Sequence, residues 1–137
     1  AVVCGILSGT LASLTGIFVL CMLFGFNHKQ YVTMLPKSIT TAIGIGISEE
    51  LGGIVTITVA VIIITGILGN VIADTVFHIF KIKNPLAKGL ALGTASHAIG
   101  TARAIEMGPV EGAMSSLSIV VAGLITVIGA TIFSHIM

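Results

Sequence analysis

The chain has 137 residues, of which 55% are apolar and 8% charged, with a formal net charge of +1 and a mean hydropathy of +1.18. Soluble domains use about 25% charged residues, so this composition excludes an ordinary water-soluble globule, and the near-zero charge excludes a basic surface for nucleic acid. Recurrent apolar runs of about 20 residues point to an integral membrane protein built from helices, which satisfy their own backbone in lipid.

The first run, Ala1 to Phe26, is long enough to span a bilayer. Ala1 is not a start methionine, and the hydrophobic run has no basic region ahead of it. The chain therefore reads as a fragment or processed piece rather than as one led by a signal peptide. Gly5, Gly9 and Gly16 bare one face to a neighbouring helix. Cys4 and Cys21 stand about 26 Å apart on such a helix, too far for a disulfide, and read as small packing residues. Asn27 to Tyr31 form a polar connection, with Tyr31 placed at the membrane interface.

Leu35 to Gly53 is too polar and glycine-rich for a standard span, and too apolar for a loop in water. Pro36 suits a helix start, with Lys37 and Ser38 in its first turn. Thr40 and Thr41 follow, then Gly44 and Gly46, each glycine weakening a helix by about 1 kcal/mol. Two readings are open. One is a discontinuous helix whose unwound middle offers backbone groups to a substrate or ion. The other is a short interfacial or re-entrant element with threonine hydroxyls bonded back to their own backbone.

Ile54 to Phe80 is the most regular span. Asn70, Asp74 and His78 share one face at its far end, which reads either as an ion or proton relay or as a solvated helix end, because about 20 residues suffice to cross the hydrocarbon. Lys81, Lys83, Asn84 and Pro85 close it as a basic loop.

Lys88 to Glu111 is the second unusual segment. On a helical projection Gly89, Gly93 and Gly100 form a stripe of bare backbone, with Thr94, His97 and Thr101 on one side and Ser96 and Arg103 on the other. These groups suit recognition of a small anion. Arg103 offers a fork of donors to a carboxylate, Thr94, Ser96 and Thr101 offer hydroxyls, and His97 exchanges a proton near neutral pH. The structural alternatives are an Arg103–Glu106 pair at i+3 and an interhelical hydrogen bond from His97.

Gly112 to Met137 is a third regular span; Ser115, Ser116 and Ser118 near its start either cap it or line a cavity. An internal repeat is visible, because Leu14-Thr-Gly-Ile and Ile64-Thr-Gly-Ile lie in two spans that each lead into a basic connection and a glycine-rich segment. Lys29, Lys37, Lys81, Lys83 and Lys88 all precede these segments, and Glu49, Glu50, Glu106 and Glu111 follow them. If both segments cross, every lysine lies on one side, so the positive-inside rule favours five passes with Ala1 and Met137 outside. If both re-enter, the lysines divide between the sides. The fold class is thus an all-α polytopic membrane protein, with three regular transmembrane helices and two interrupted (broken or re-entrant) helices.

PKSITTAIGI and KGLALGTASHAIGTARAIEMGPVEGAMSSLSI resemble the two signatures of the LrgB/CidB family of bacterial membrane proteins, also called antiholin-like or YohK. The resemblance covers residues 1–137 as a single transmembrane domain and implies that the N-terminal part of the family domain is missing. It implies a multi-pass protein of the bacterial inner membrane, working with LrgA/CidA-type partners on murein hydrolase activity and lysis. The family is also similar to the plant plastid glycolate/glycerate translocator, and bacterial relatives are linked to pyruvate movement. The family pattern covers Lys37, Ser38, Thr40 and Thr41, then Gly93, Thr94, Ser96, His97, Gly100, Thr101, Arg103, Glu111 and Gly112. Ala42 stands where the family usually has proline, so Gly44 and Gly46 are expected to supply the break.

Two functions follow: a secondary transporter of small monocarboxylates, and an antiholin-like regulator acting through a membrane partner. The expected substrate contacts are Thr40, Thr41, Thr94, Ser96, His97, Gly100, Thr101 and Arg103, with Lys37, Ser38, Gly93, Glu106 and Glu111 as further candidates. The expected partners are the lipid bilayer, a small carboxylate and an LrgA/CidA-type protein, with a homo-oligomer left open. No cofactor or metal is expected, since no Cys/His cluster has ligand spacing. An enzyme is disfavoured because Ser96 and His97 diverge by about 100° on a helix and no carboxylate orients the histidine.

Overall fold

The computed structural model describes all of residues 1–137 as six helices with no strand: α1 (Val2–Leu23), α2 (His28–Met34), α3 (Thr41–Glu50), α4 (Val55–Ile79), α5 (Pro85–Met107) and α6 (Pro109–Ser134). Three of them, α1, α4 and α6, are long and apolar enough to cross a membrane. They expose Leu20, Ile64, Val71, Leu124 and Ile128, as lipid-facing helices must. Residues in the left-handed region end α1, α3 and α4: Gly25 at φ 64°, Gly52 at φ 76° and Lys81 at φ 53°. At each, the next N–H reaches back across the final turn, as from Ile82 to the Phe77 carbonyl at 2.8 Å.

Contacts along the chain show that α2 and α3 form a hairpin. The Phe18 and Tyr31 rings meet edge-on, with centroids 6.1 Å apart, and Ser13 Oγ donates to Ser38 Oγ at 2.9 Å, so the chain runs back along α1 as far as Ser38. It then reverses. Thr58 Oγ1 donates to the Thr33 carbonyl at 2.8 Å and lies 2.8 Å from Ser48 Oγ, which brings the last turn of α3 beside the last turn of α2. Thr33 Oγ1 also accepts from the Ile54 N–H at 2.8 Å. The hairpin therefore enters and leaves at the same end of the bundle, with its tip at residues 35–40.

The second hairpin lies inside α5 and turns on one residue. His97 leaves the helical region at φ 42°, ψ −134°. Leu92 and Gly100 would be about 12 Å apart along a straight helix, yet a Cβ on Gly100 would stand 2.8 Å from the Leu92 carbonyl oxygen. Residues 98–107 thus fold back on residues 85–96. The neighbours agree: Gly93 packs on Ser115 and Ser118 of α6, while Thr101 on the returning arm also reaches Ser115, at 2.7 Å. On α4, Lys88 of the first arm sits 5.8 Å from the Phe77 ring centroid, while Arg103 of the second pairs with Asp74.

The order is therefore span, hairpin, span, hairpin, span. The α2–α3 hairpin enters from the end where α1 finishes, the α5 hairpin from the end where α4 finishes, and both tips reach the same level inside the bundle. Ile62 of α4 marks the level: its carbonyl accepts from His97 Nε2 at 2.9 Å, and its side chain fills the space left by Gly44 of α3. Because α1 and α4 run in opposite directions, the two units form an inverted repeat. Its register is 57 residues, pairing the hairpin N-caps Asn27 and Asn84 and the carboxylates Glu49 and Glu106.

This geometry corrects several expectations. Three helices are long and apolar enough to cross a membrane, and both polar segments turn back to the end they enter from, which favours three passes over the expected five and puts Ala1 and Met137 at opposite ends of the bundle. The lysines divide, with Lys29 at one end, Lys81, Lys83 and Lys88 at the other, and Lys37 between them in the interior; the positive-inside rule then places the α4–α5 connection in the cytoplasm. The Thr-Gly-Ile pair is out of register with the structural repeat, and Gly16 has open space where Gly66 meets the His97 ring. Asn27 to Tyr31 are not a loop: Asn27 and Gln30 form a capping box for α2. Tyr31 is buried, its hydroxyl donating to the Phe133 carbonyl at 3.0 Å. Pro36 does not start a helix; α3 begins at Thr41 and stays helical through Gly44 and Gly46.

Cysteines replacing Lys88 and Glu106 in the full-length protein are expected to react with an impermeant maleimide from the same side, and cysteines at Lys29 and Glu49 from the opposite side. Reaction of Lys88→Cys and Glu106→Cys from different sides would restore the five-pass arrangement. A Cβ at Gly66 would lie 2.7 Å from His97 Cε1. Gly66→Ala is therefore expected to cost roughly 1–3 kcal/mol in detergent unfolding, whereas Gly16→Ala is tolerated.

Candidate substrate site at the hairpin tips

The tip of the α2–α3 hairpin has an unusual backbone. None of the six N–H groups from Ser38 to Ile43 makes a well-aligned backbone hydrogen bond, and regular pairing resumes at Gly44, whose N–H reaches the Thr40 carbonyl at 2.9 Å. A helix start leaves its first N–H groups free by geometry, and Thr40, the N-cap of α3, does not turn its side chain to cover them. The preceding turn adds Ser38 and Ile39. Successive free N–H groups at a helix start attract anions.

Lys37 stands beside this run. It is half-buried, and its Nζ donates to Ser38 Oγ at 2.7 Å. Ser38 Oγ also accepts from Ser13 of α1, which fixes the hydroxyl between two donors. No carboxylate pairs with Lys37, since the ion pairs in the chain both belong to Arg103.

His97 forms the tip of the second hairpin and is buried. A carbonyl only accepts, so the bond to Ile62 places a proton on Nε2, and Nδ1 is left without a hydrogen-bond partner. Thr101 Oγ1 donates to the His97 carbonyl at 2.9 Å. Its single proton is thereby used, so Ser115 donates to Thr101. Non-glycine residues in such a backbone region cost roughly 1–3 kcal/mol; here two hydrogen bonds hold the residue from α4 and from its own returning arm.

The structure divides the expected contacts into two groups. Lys37, Ser38, Thr40, Thr41, Ser96 and His97 lie at the tips. Thr40 and Thr41 are half-buried and their hydroxyls make no hydrogen bond within the chain. Ser96 is buried, lies against Gly69 and likewise lacks a partner. The remaining residues hold the hairpins together. Thr94 bonds back to the Leu90 carbonyl at 2.8 Å and packs on Gly9 of α1. Thr101 braces His97. Gly89 and Gly93 are covered by α6, and Gly100 lies inside the fold of its own hairpin, so the glycine stripe is helix packing rather than backbone bared to a ligand.

Arg103 is not at the tip. It pairs with Asp74 of α4 and with Glu106 at 2.7 Å, at the depth of the cytoplasmic end of α4, so its charge is already neutralised there. Asp74 is an ion-pair partner rather than a lone relay group, and Asn70 donates to the Ile99 carbonyl at 3.2 Å. Glu111 belongs to the first turn of α6 and curls over Gly108. Ser116 and Ser118 bond back along α6 to the Gly112 and Met114 carbonyls rather than capping it. The signal for Lys37 in the sequence is a lone lysine inside an apolar segment, less conspicuous than the fork of donors on Arg103.

Comparison with known proteins bears on the family. The LrgB-like family matches residues 1–136. The antiholin-like protein LrgB of Bacillus subtilis is 38% identical over 132 residues, covering 96% of this chain and 57% of its own length. The holin-like protein CidB of Staphylococcus epidermidis is 40% identical over 121 residues, covering 88% and 53%. LrgB of Bacillus cereus is 40% identical over 128 residues, covering 93% and 56%. The chain thus spans a little over half the length of these relatives. No solved structure matches it. The match along nearly the whole chain, with three membrane-spanning helices, places the protein in the LrgB-like family of multi-pass bacterial membrane proteins.

Proposed function

We propose that the paired hairpins form the substrate site of a secondary transporter for small monocarboxylates of the 2-oxo and 2-hydroxy acid type. The observation that carries this reading is the run of unpaired N–H groups from Ser38 to Ile43 beside Lys37, a lysine with no carboxylate partner, at the level that both oppositely directed hairpins reach. In hydrocarbon each unsatisfied backbone group costs several kcal/mol, so such a backbone is tolerated only where it faces protein, water or a ligand. Free N–H groups and an ammonium select an anion. The hydroxyls of Thr40 and Thr41 suit the oxygen on its second carbon, and His97 Nδ1 offers a lone pair or, when protonated, a further donor. Inverted repeats with interrupted helices place substrate sites of transporters at this depth.

The names of the relatives support a second reading. They are holin-like and antiholin-like, which favours control of murein hydrolase activity and lysis through an LrgA/CidA-type membrane partner. Names speak for this reading more directly than for transport. The two are compatible where carboxylate flux governs lysis.

Uptake of labelled pyruvate or glycolate into proteoliposomes of the full-length protein separates them. Lys37→Gln is expected to reduce uptake at least tenfold, whereas Arg103→Gln lowers stability and leaves uptake per folded molecule within about threefold. No uptake by the wild type, with co-purification of an LrgA-type partner and altered autolysis, would favour the second reading. Uptake lost with Arg103→Gln and retained with Lys37→Gln would overturn the assignment of the site.

A further inference from the structure

An open cleft of about 470 Å³ lies at the cytoplasmic end of α4, where Lys81, Lys83, Lys88 and His78 surround Phe77. Its three lysines have no carboxylate partner. Asp74 also faces the cleft, where it shares Arg103 with Glu106, so three lysines stand against one partly compensated carboxylate. The cleft is therefore cationic, and it sits at the height where lipid headgroups meet a span. Lys88 holds its ammonium over the Phe77 ring, which aims the charge into the cleft.

A second groove, of about 210 Å³, continues from it between α4 and the first arm of α5. Phe77 lines both. The groove walls are Ile72, Val76, Ala91, Leu92 and Ala95, and almost nothing polar shows in it. A cationic basin above an apolar furrow, joined at one residue, has the shape and polarity of an anionic phospholipid: phosphate at the interface, acyl chain along the helix pair. Neither free phosphate nor a soluble anion would use the furrow.

We propose that this face is a binding site for an anionic phospholipid, with the headgroup phosphate held by Lys81, Lys83 and Lys88 and one acyl chain lying between α4 and α5. Basic pockets between helices on the cytoplasmic side hold such headgroups, each lysine near the surface adding appreciably to the attraction. The headgroup basin lies at the opposite end of the furrow from Ser96, the one tip residue that lines it, and the proposal does not depend on what is transported.

The test uses full-length protein released from nanodiscs containing equal phosphatidylglycerol and phosphatidylcholine, followed by native mass spectrometry and thermal unfolding. Retention of phosphatidylglycerol over phosphatidylcholine is expected, with a rise in Tm that phosphatidylglycerol alone produces. The variant K81Q/K83Q/K88Q should bind phosphatidylglycerol at least about tenfold more weakly, and Ala91→Phe should lower it by filling the furrow. Lys83→Gln, in the loop outside the helices, serves if the triple variant does not fold, and should give a smaller loss. Equal retention of the two lipids, or unchanged binding in Lys83→Gln and the triple variant alike, would overturn the proposal. So would stabilisation by glycerol phosphate equal to that by phosphatidylglycerol, which would mark a soluble phosphate site.

Discussion

A single hydrogen bond, from His97 Nε2 to the carbonyl of Ile62, ties the interior of this bundle together. It lies where one hairpin ends against a span, and the carbonyl it uses belongs to the residue whose side chain packs on Gly44 of the other hairpin. The bond holds a non-glycine residue at φ 42°, and that one residue turns α5 back on itself. Without the turn, α5 would be a straight helix of 23 residues, long enough to cross the hydrocarbon. The number of passes, the side on which each lysine lies and the depth of the polar tips all follow from it.

The hairpins explain how so much polarity is accommodated in a chain this apolar. Arms that enter and leave at the same end carry their charged residues, Glu49, Lys88, Arg103 and Glu106, back to the ends of the bundle. What remains at the tips is nearly neutral, with one exception. Lys37 stands among hydroxyls and unpaired backbone N–H groups with no carboxylate partner, and intramembrane ionisable groups of this kind mark substrate or ion pathways. Serines and threonines not at the tips are used as joints: Thr33, Ser48 and Thr58 fasten the first hairpin to α4, and Thr101 with Ser115 fastens the second to α6.

Much of this was legible in the sequence, but unevenly. Composition and run length identified α1, α4 and α6, because hydrocarbon requires long apolar stretches whatever the packing. The two polar, glycine-rich segments stood out for the same reason. Their path did not, because crossing and re-entry demand the same apolar content, and the reversal in α5 rests on a histidine whose backbone angle leaves no mark in composition. The register of the repeat was obscured by the Thr-Gly-Ile coincidence, although Asn27 with Asn84 and Glu49 with Glu106 carried it. Arg103 was overvalued for a related reason. Glu106 is visible three residues away, but Asp74 is adjacent only in the folded chain, and with both partners in place the guanidinium has little charge left to offer.

The central claim is that the unpaired backbone of residues 38–43 receives a carboxylate. Amide spectra of the full-length protein in lipid, recorded by solid-state NMR with and without saturating pyruvate, test it directly. The account requires shifts in consecutive amides from Ser38 to Ile43, together with the Lys37 ammonium and the His97 ring. Transport of pyruvate with those amides unmoved, or shifts confined to Arg103 and its neighbours, would contradict it.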